Sequence, residues 1–248
     1  MASVPAPSVE TTEPVNAIGR IFGAIVSPKA TFESIAKRPT WIAPILLLTL
    51  ASLCVVWLFG HRVGWRAFFE KQDAASSRFE QASPAQQQQS LEAQVKYGAP
   101  FVYAAVVIST PVAAVILAAI FLGVFNGLGG AKFGFKTSLA IVAHAWMPGL
   151  ILALLGVFVL FVKDPSTIDL QNIVASNAGA FTTSESPKWL VALLTSIDIF
   201  TFWYMILMAF GYAAAAPKKL TFGKAFFTIF GLWLVYVLIR VGFAAAFS

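Results

Sequence analysis

Residues Trp41 to Phe59 read WIAPILLLTLASLCVVWLF, nineteen positions without one charged side chain. A helix rises about 1.5 Å per residue and needs about 20 residues to cross a hydrocarbon core about 30 Å thick, so this stretch spans a bilayer. It lacks the apolar–polar alternation of a barrel strand and is too long to be one, which leaves the helix. Trp41 stands at its start, where an indole anchors a span in the headgroup layer.

Runs of the same kind recur at about 100–126, 137–162, 188–216 and 220–247. The predicted fold class is an all-α membrane protein, a five-transmembrane-helix bundle. Composition agrees: 58% of the 248 residues are hydrophobic and 11% charged, against roughly a quarter charged in soluble domains. One soluble core cannot hide that much apolar surface, because area falls too slowly with chain length. Pro111 after Ser109-Thr110 predicts a bend in the second span, and Pro148-Gly149 one in the third. Glycines from Gly127 to Gly134 predict a tight turn between those spans. Ser186-Pro187 predicts the start of the fourth span, and Pro217-Lys218-Lys219 the turn into the fifth.

The remaining segments are polar or periodic. Residues 1–14 contain Pro5, Pro7, Pro14, Glu10 and Glu13, with neither a basic start nor an apolar core, and read as a disordered tail rather than a leader. Residues 15–38 carry Val15, Ile18, Phe22 and Ile25 on one helical face, with Arg20 elsewhere. Ser27-Pro28 restarts the helix, and Phe32, Ile35 and Ala36 then share a face. One reading is an N-terminal interfacial amphipathic helix pair lying in the headgroup layer, with Lys29, Lys37 and Arg38 turned to water and anionic lipid. The other is a pair of cytoplasmic helices packed on the bundle. Lys29, Phe32, Ile35, Lys37, Arg38 and Trp41 are the candidate membrane-interface residues. The Gln-rich segment 61–97 holds Ser83-Pro-Ala-Gln86, a capping box, and predicts a helical hairpin in water with a partner-binding role left open. Ile168 to Val174 predicts a short surface helix.

Charge bounds location and partners. The net charge is +6, but the basic residues flank spans rather than forming a patch, so no nucleic-acid partner is expected. With the N-terminus in the cytoplasm, nine lysines and arginines lie inside and seven outside. Two of the inside segments are very short turns, where the positive-inside rule is most reliable. The expectation is a multi-pass protein of the cell (inner) membrane with a cytoplasmic N-terminus and an outer C-terminus. The lipid bilayer is its first partner, with other membrane proteins or a second copy of the chain also open.

The residues of catalysis and metal binding are sparse. The chain has two histidines, His61 and His144, and one cysteine, Cys54, which excludes an intramolecular disulfide. No pair has zinc-ligand spacing, no phosphate loop or G-x-S-x-G elbow occurs, and no cofactor is expected. Gly123 and Gly127 have GxxxG spacing, which predicts close helix packing within the bundle or between copies. Inside the spans, Thr195, Asp198 and Thr201 fall at i, i+3 and i+6 and predict one polar stripe, with Asp198 near the midplane. His144 lies in the third span. Their depths are expected to differ by only about 5 Å, so both should face one interior region. A charge at that depth costs about 2.5–3.5 kcal/mol on insertion scales and must be paired or neutral. These residues are read either as a structural hydrogen bond or as a proton or solute path.

Four stretches resemble the Yip (Ypt-interacting-protein type) family of integral membrane proteins, in particular its bacterial-type members. They are Ser27-Pro28-Lys29-Ala30-Thr31-Phe32-Glu33-Ser34-Ile35 with Pro39, Trp41 and Pro44; Gly129-Gly130-Ala131-Lys132-Phe133 leading to Ala140–Ala145 and Pro148; Ser196–Phe200 with Trp203, Gly211 and Tyr212; and Phe222-Gly223-Lys224-Ala225-Phe226 with Gly231 and Trp233. The resemblance covers roughly residues 15 to 245 and leaves out the segment 61–96. It implies five spans, a cytoplasmic amphipathic N-terminus and no catalytic activity. Eukaryotic relatives are associated with small Rab-type GTPases, vesicle traffic and membrane shaping. The Asp-Leu-Tyr-Gly-Pro motif of those members is absent here, which argues against a small GTPase partner.

Three functions follow. The leading one is a non-enzymatic membrane protein that organises or shapes the bilayer or scaffolds membrane partners. The alternative is a small-solute or ion transporter or channel using Asp198 and His144, with two proline-broken spans in its favour. The third is a lipid-acting enzyme, for which Ser196, Asp198 and His144 are the only conceivable set.

Overall fold

The computed structural model describes residues 16–74, 79, 81–183 and 185–247, so the expected tail at 1–14 lies outside the described residues. These form helices, turns and one isolated bridge between Asn177 and Asp198. Two short helices come first, α1 (Ala17–Val26) and α2 (Pro28–Lys37). α3 (Ile42–Arg62), α4 (Trp65–Asp73) and α5 (Pro84–Ala93) follow. A π-helical turn, Gln94–Gly98, carries α5 into α6 (Ala99–Gly123), which ends in a second π turn, Val124–Leu128. The rest is α7 (Phe135–Ala145), α8 (Pro148–Val162), α9 (Lys188–Ser196), α10 (Ile199–Ala215) and α11 (Phe222–Ala246).

Among the described residues, four helical runs are long and apolar enough to cross a membrane: Ile42–Arg62, Pro84–Leu128, Phe135–Val162 and Phe222–Ala246. Large apolar side chains point away from the protein along them, among them Leu46, Ile116, Phe158 and Leu238. Such exposure suits helices whose solvent is hydrocarbon.

The segment expected as the fourth span is not one helix. It breaks at Ile197-Asp198 into α9 and α10. The two pieces still run the length of α11. Lys188 Nζ donates to the Phe247 carbonyl at 3.4 Å at one end, and Phe210 packs on Phe222 with ring centres 4.7 Å apart at the other. The third run breaks at Trp146-Met147, and Pro148 takes the first position of α8, where its missing N–H costs nothing. Pro111, by contrast, sits inside α6, which continues past it.

The hairpin at 61–97 also takes a different form. Ser83 and Gln86 make the capping box, and Gln94 Nε2 donates to Asp73 Oδ2 at 2.8 Å to join the arms. The second arm is no separate hairpin strut, because it continues into the second span as a helix of 45 residues. Phe68 and Phe69 pack on Trp65, and Phe68 also on Phe59. The expected surface helix at 168–174 is only a 3-10 turn, Leu170–Asn172. Neither Ser-Pro pair caps through its serine: Ser27 makes no side-chain cap bond, and Ser186 Oγ accepts instead from the Thr183 N–H.

Among the described residues, the larger of two core clusters gathers around Tyr212, and a smaller one holds Leu58, Phe59, Leu160 and Ile168. Ser138 Oγ donates to the Ala118 carbonyl at 2.7 Å, so the fully buried Tyr212 hydroxyl, 2.8 Å away, donates to Ser138. This chain joins α10, α7 and α6 and satisfies both buried hydroxyls. The tyrosine ring lies 4.6 Å from Phe125 and 5.5 Å from Phe133, centre to centre. Gly211 admits α2 and α7 to the backbone of α10: a β-carbon there would stand 3.0 Å from Phe32 Cδ1 and closer still to Ile141. Gly130 turns the chain between α6 and α7 with φ +62°. Gly123 and Gly127 do not pack: a β-carbon on either meets no atom within 4 Å. The GxxxG spacing therefore marks no helix contact within the described residues.

Candidate functional site

The break between α9 and α10 collects the polar residues of the spans. Asp198 leaves the helical region (φ −123°, ψ 133°) and caps α10, its Oδ1 accepting from the Thr201 N–H at 2.9 Å. Its Oδ2 accepts a short hydrogen bond from Ser176 Oγ. Two backbone bonds dock the 172–179 loop here, from Ala178 N–H to the Ile197 carbonyl (3.0 Å) and from Ile199 N–H to the Ser176 carbonyl (3.2 Å). On the other side of the break, Arg240 of α11 donates to Ser196 Oγ at 2.9 Å and to Thr195 Oγ1 at 3.0 Å. A helix N-terminus carries partial positive charge and a C-terminus partial negative charge. Each broken end thus faces a side chain of opposite sign, Asp198 at the start of α10 and Arg240 at the end of α9.

Thr195, Asp198 and Thr201 are therefore brought together at a gap, but not as the single helical stripe their spacing predicts. An aspartate flanked by Ser196 and Thr201 is a strong N-cap, and its side chain competes for the backbone that an unbroken helix would use. The sequence reading missed Arg240, Ser176 and the docked loop, since only the fold places residues 20 to 45 positions away beside the gap.

A cavity of about 430 Å³ opens beside Asp198, lined by Ser52, Asn172, Ser176, Thr201 and Tyr204 among apolar residues of α3 and α8. Ser52, Gly149, Leu152 and Tyr204 also line a second cavity of about 360 Å³ that reaches Ser109, Thr110 and Trp146.

His144 does not join this site. It is buried at the end of α7, with Nδ1 2.9 Å from the Ala140 carbonyl one turn back. The Ser138–Tyr212 bond fixes a common level for α7 and α10. From there His144 lies about 9 Å along its helix and Asp198 about 21 Å along the other, a difference of about 12 Å. The expected pairing fails because α9 and α10 together exceed the hydrocarbon thickness, so counting from the outer edge sets Asp198 too deep.

The N-terminal helices divide their candidate residues between protein and surroundings. Phe32 and Ile35 are fully buried in the core, not on a membrane face, and α2 packs on α7 and α10. Lys29, Lys37 and Arg38 are exposed, and Trp41 is half-buried. In α1, Arg20 turns inward: Nη1 donates to the Arg38 carbonyl (2.6 Å) and Thr40 Oγ1 (3.2 Å), and Nη2 to Ser34 Oγ (3.1 Å). Nε of Arg20 is buried with no partner. Ile18, Phe22 and Val26, one turn apart on the opposite face, are 66%, 64% and 79% exposed.

The family model described as the Yip1 domain matches residues 22–243. The chain belongs to the Yip1 domain family. Searches of curated proteins and of solved structures gave no match. As a Yip1 domain protein it is an integral, multi-pass membrane protein, and the family is not known for enzymes. Several residues that carry the family resemblance meet around Tyr212: Phe32 from α2, Phe133 before α7, and Gly211 of α10. They pack in the core of this chain at the end where α2 docks.

No catalytic arrangement links the residues weighed for one. Ser196 Oγ donates to Ala192 and accepts from Arg240, Asp198 caps a helix, and His144 bonds its own helix. Among the described residues no group of three His, Cys, Asp or Glu side chains could hold a metal ion.

Proposed function

We propose that this Yip1 domain protein is non-enzymatic and shapes or organises the bilayer, with α1 as a wedge in one leaflet. The observation that carries this is the uncovered stripe Ile18, Phe22 and Val26 on a helix whose one charge, Arg20, is turned into the protein. A helix of 10 residues is about 15 Å long, too short to span. Apolar on its outer face and clamped to the bundle by Arg20, it satisfies that face only by lying at the boundary of headgroups and acyl chains. Volume added to one leaflet alone favours curvature.

In this reading the bundle has five spans, with α9 and α10 together as the fourth, and the protein sits in the cell (inner) membrane. The N-terminus is cytoplasmic. Supporting this, the turns at 124–136 and 216–224 gather with α1 and α2 at one end, through Tyr212 with Phe125 and Phe133 and through Phe210 with Phe222. That end holds nine lysines and arginines between residues 17–40, 124–136 and 216–224, against one carboxylate, Glu33. Other membrane proteins or a second copy are further partners in this reading, and the missing Asp-Leu-Tyr-Gly-Pro motif argues against a small GTPase.

The test is electron microscopy of proteoliposomes holding the full chain. Native protein should tubulate or shrink the vesicles, and Ile18→Ser/Phe22→Ser/Val26→Ser protein at equal density should leave them round. Equal curvature with both proteins refutes the wedge. The transporter reading draws on the cavities beside Asp198 and Tyr204, and proton or solute flux lost in Asp198→Asn at normal expression would favour it.

A further inference from the structure

A second groove lies at the basic end, between the close of α6 and the start of α11. It has a volume of about 420 Å³, and its walls include Val124, Phe125, Leu128, Lys219, Lys224 and Thr228. No carboxylate lines it, whereas Glu33 lines a separate groove of about 680 Å³ with Lys29 and Lys37. Among the described residues neither Lys219 nor Lys224 is ion-paired, and the salt bridge present is Arg66–Glu70 within α4, away from this groove. Leu128 is 88% exposed. Val124, Phe125 and Leu128 close the run Pro84–Leu128, and Lys224 and Thr228 lie in the first turns of the run Phe222–Ala246, both long and apolar enough to span. The groove therefore sits where hydrocarbon gives way to headgroups, cationic at one edge and apolar along the other.

We infer that this groove binds an anionic phospholipid of the bilayer, its phosphate held by Lys219 and Lys224 and an acyl chain lying against Val124 and Leu128. Charge complementarity selects the occupant. Two unpaired ammonium groups at a headgroup layer attract a phosphate and its anionic neighbours, and the exposed Leu128 beside the half-buried Val124 needs a chain that a free anion lacks. The inference rests on the bilayer placement of α6 and α11 and not on the wedge role of α1, so either can fail alone.

The test is native mass spectrometry of the delipidated full-length protein, titrated with phosphatidylglycerol or phosphatidylcholine of identical chains. Native protein should retain phosphatidylglycerol preferentially. Each lysine near a headgroup is worth about fivefold, so Lys219→Gln/Lys224→Gln should weaken binding roughly twenty-fivefold. The control Lys132→Gln/Lys136→Gln removes the same charge from the same end and should change binding less than about twofold, because neither side chain lines the groove. Thr228→Trp keeps both lysines and fills the groove, and should also lose the lipid. Equal affinity for the two lipids, equal loss in both lysine pairs, full binding in Thr228→Trp, or displacement by inorganic phosphate at matched concentration would overturn the inference.

Discussion

Arg240 and Asp198 serve opposite sides of one gap in a membrane helix: Arg240 reaches the last hydroxyls of α9, and Asp198 caps the first amides of α10. Side chains and the backbone of the docked 172–179 loop thereby bond both sides of the gap. Asp198→Asn should keep the protein folded, since asparagine caps as well as aspartate. Asp198→Ala should cost about 1–2 kcal/mol, the usual loss of a cap. Arg240→Leu should cost about 1 kcal/mol, because Thr195 and Ser196 keep their bonds to Val191 and Ala192. Thermal unfolding in detergent measures all three, and an Asp198→Asn protein that fails to fold would contradict this role.

Gly211 should not tolerate a methyl group. Its β-carbon would press on Phe32 and Ile141, and overpacking of this kind costs about 1–3 kcal/mol. Gly231→Ala is the control: its β-carbon meets no atom within 4 Å, and alanine in a helix interior gains about 1 kcal/mol over glycine. The two melting temperatures should move in opposite directions.

The two N-terminal helices should separate folding from membrane action. Phe32→Ser/Ile35→Ser deletes two wholly buried side chains of the core and should cost several kcal/mol, by cavity and by unpaired hydroxyls. Ile18→Ser/Phe22→Ser/Val26→Ser alters exposed positions and should leave the melting temperature in detergent within a few degrees. A large drop there would place that stripe against protein instead.

Topology is open to reporter fusions. A reporter placed after Ser248 should be active only outside the cytoplasm and one at Lys218 only inside, because the basic turns at 124–136 and 216–224 share the end that holds α1 and α2. The reverse pattern at either site contradicts the N-inside arrangement.

Much of the fold is legible in the sequence because spans are written as uninterrupted apolar runs. Trp41–Phe59, the break at Pro148 and the Ser83–Gln86 box can all be read from local residues. What is not legible depends on partners distant in the chain. Asp198 sits in an apolar run, and only Ser176 and Arg240, brought beside it by the fold, explain why the helix opens there. Phe32 and Ile35 have the period of an interfacial helix, and a lipid-facing stripe cannot be told from a core-facing one when both neighbours are apolar. Arg20 is the reverse case: a lone cation on an apolar helix reads as water-facing, yet the α2 C-terminus offers it a carbonyl and two hydroxyls. The GxxxG pair meets no partner within the described residues, because spacing permits close approach without supplying a neighbour.

If the outer face of α1 lies in lipid, residue 22 sits at acyl-chain depth, and that depth can be measured. A nitroxide on Phe22→Cys, in a Cys54→Ser background, is examined by power-saturation spectroscopy in proteoliposomes. A wedge helix should show frequent collisions with oxygen, which concentrates in hydrocarbon, and few with a water-soluble nickel chelate. Dominant collisions with the chelate would place α1 in water and contradict the wedge.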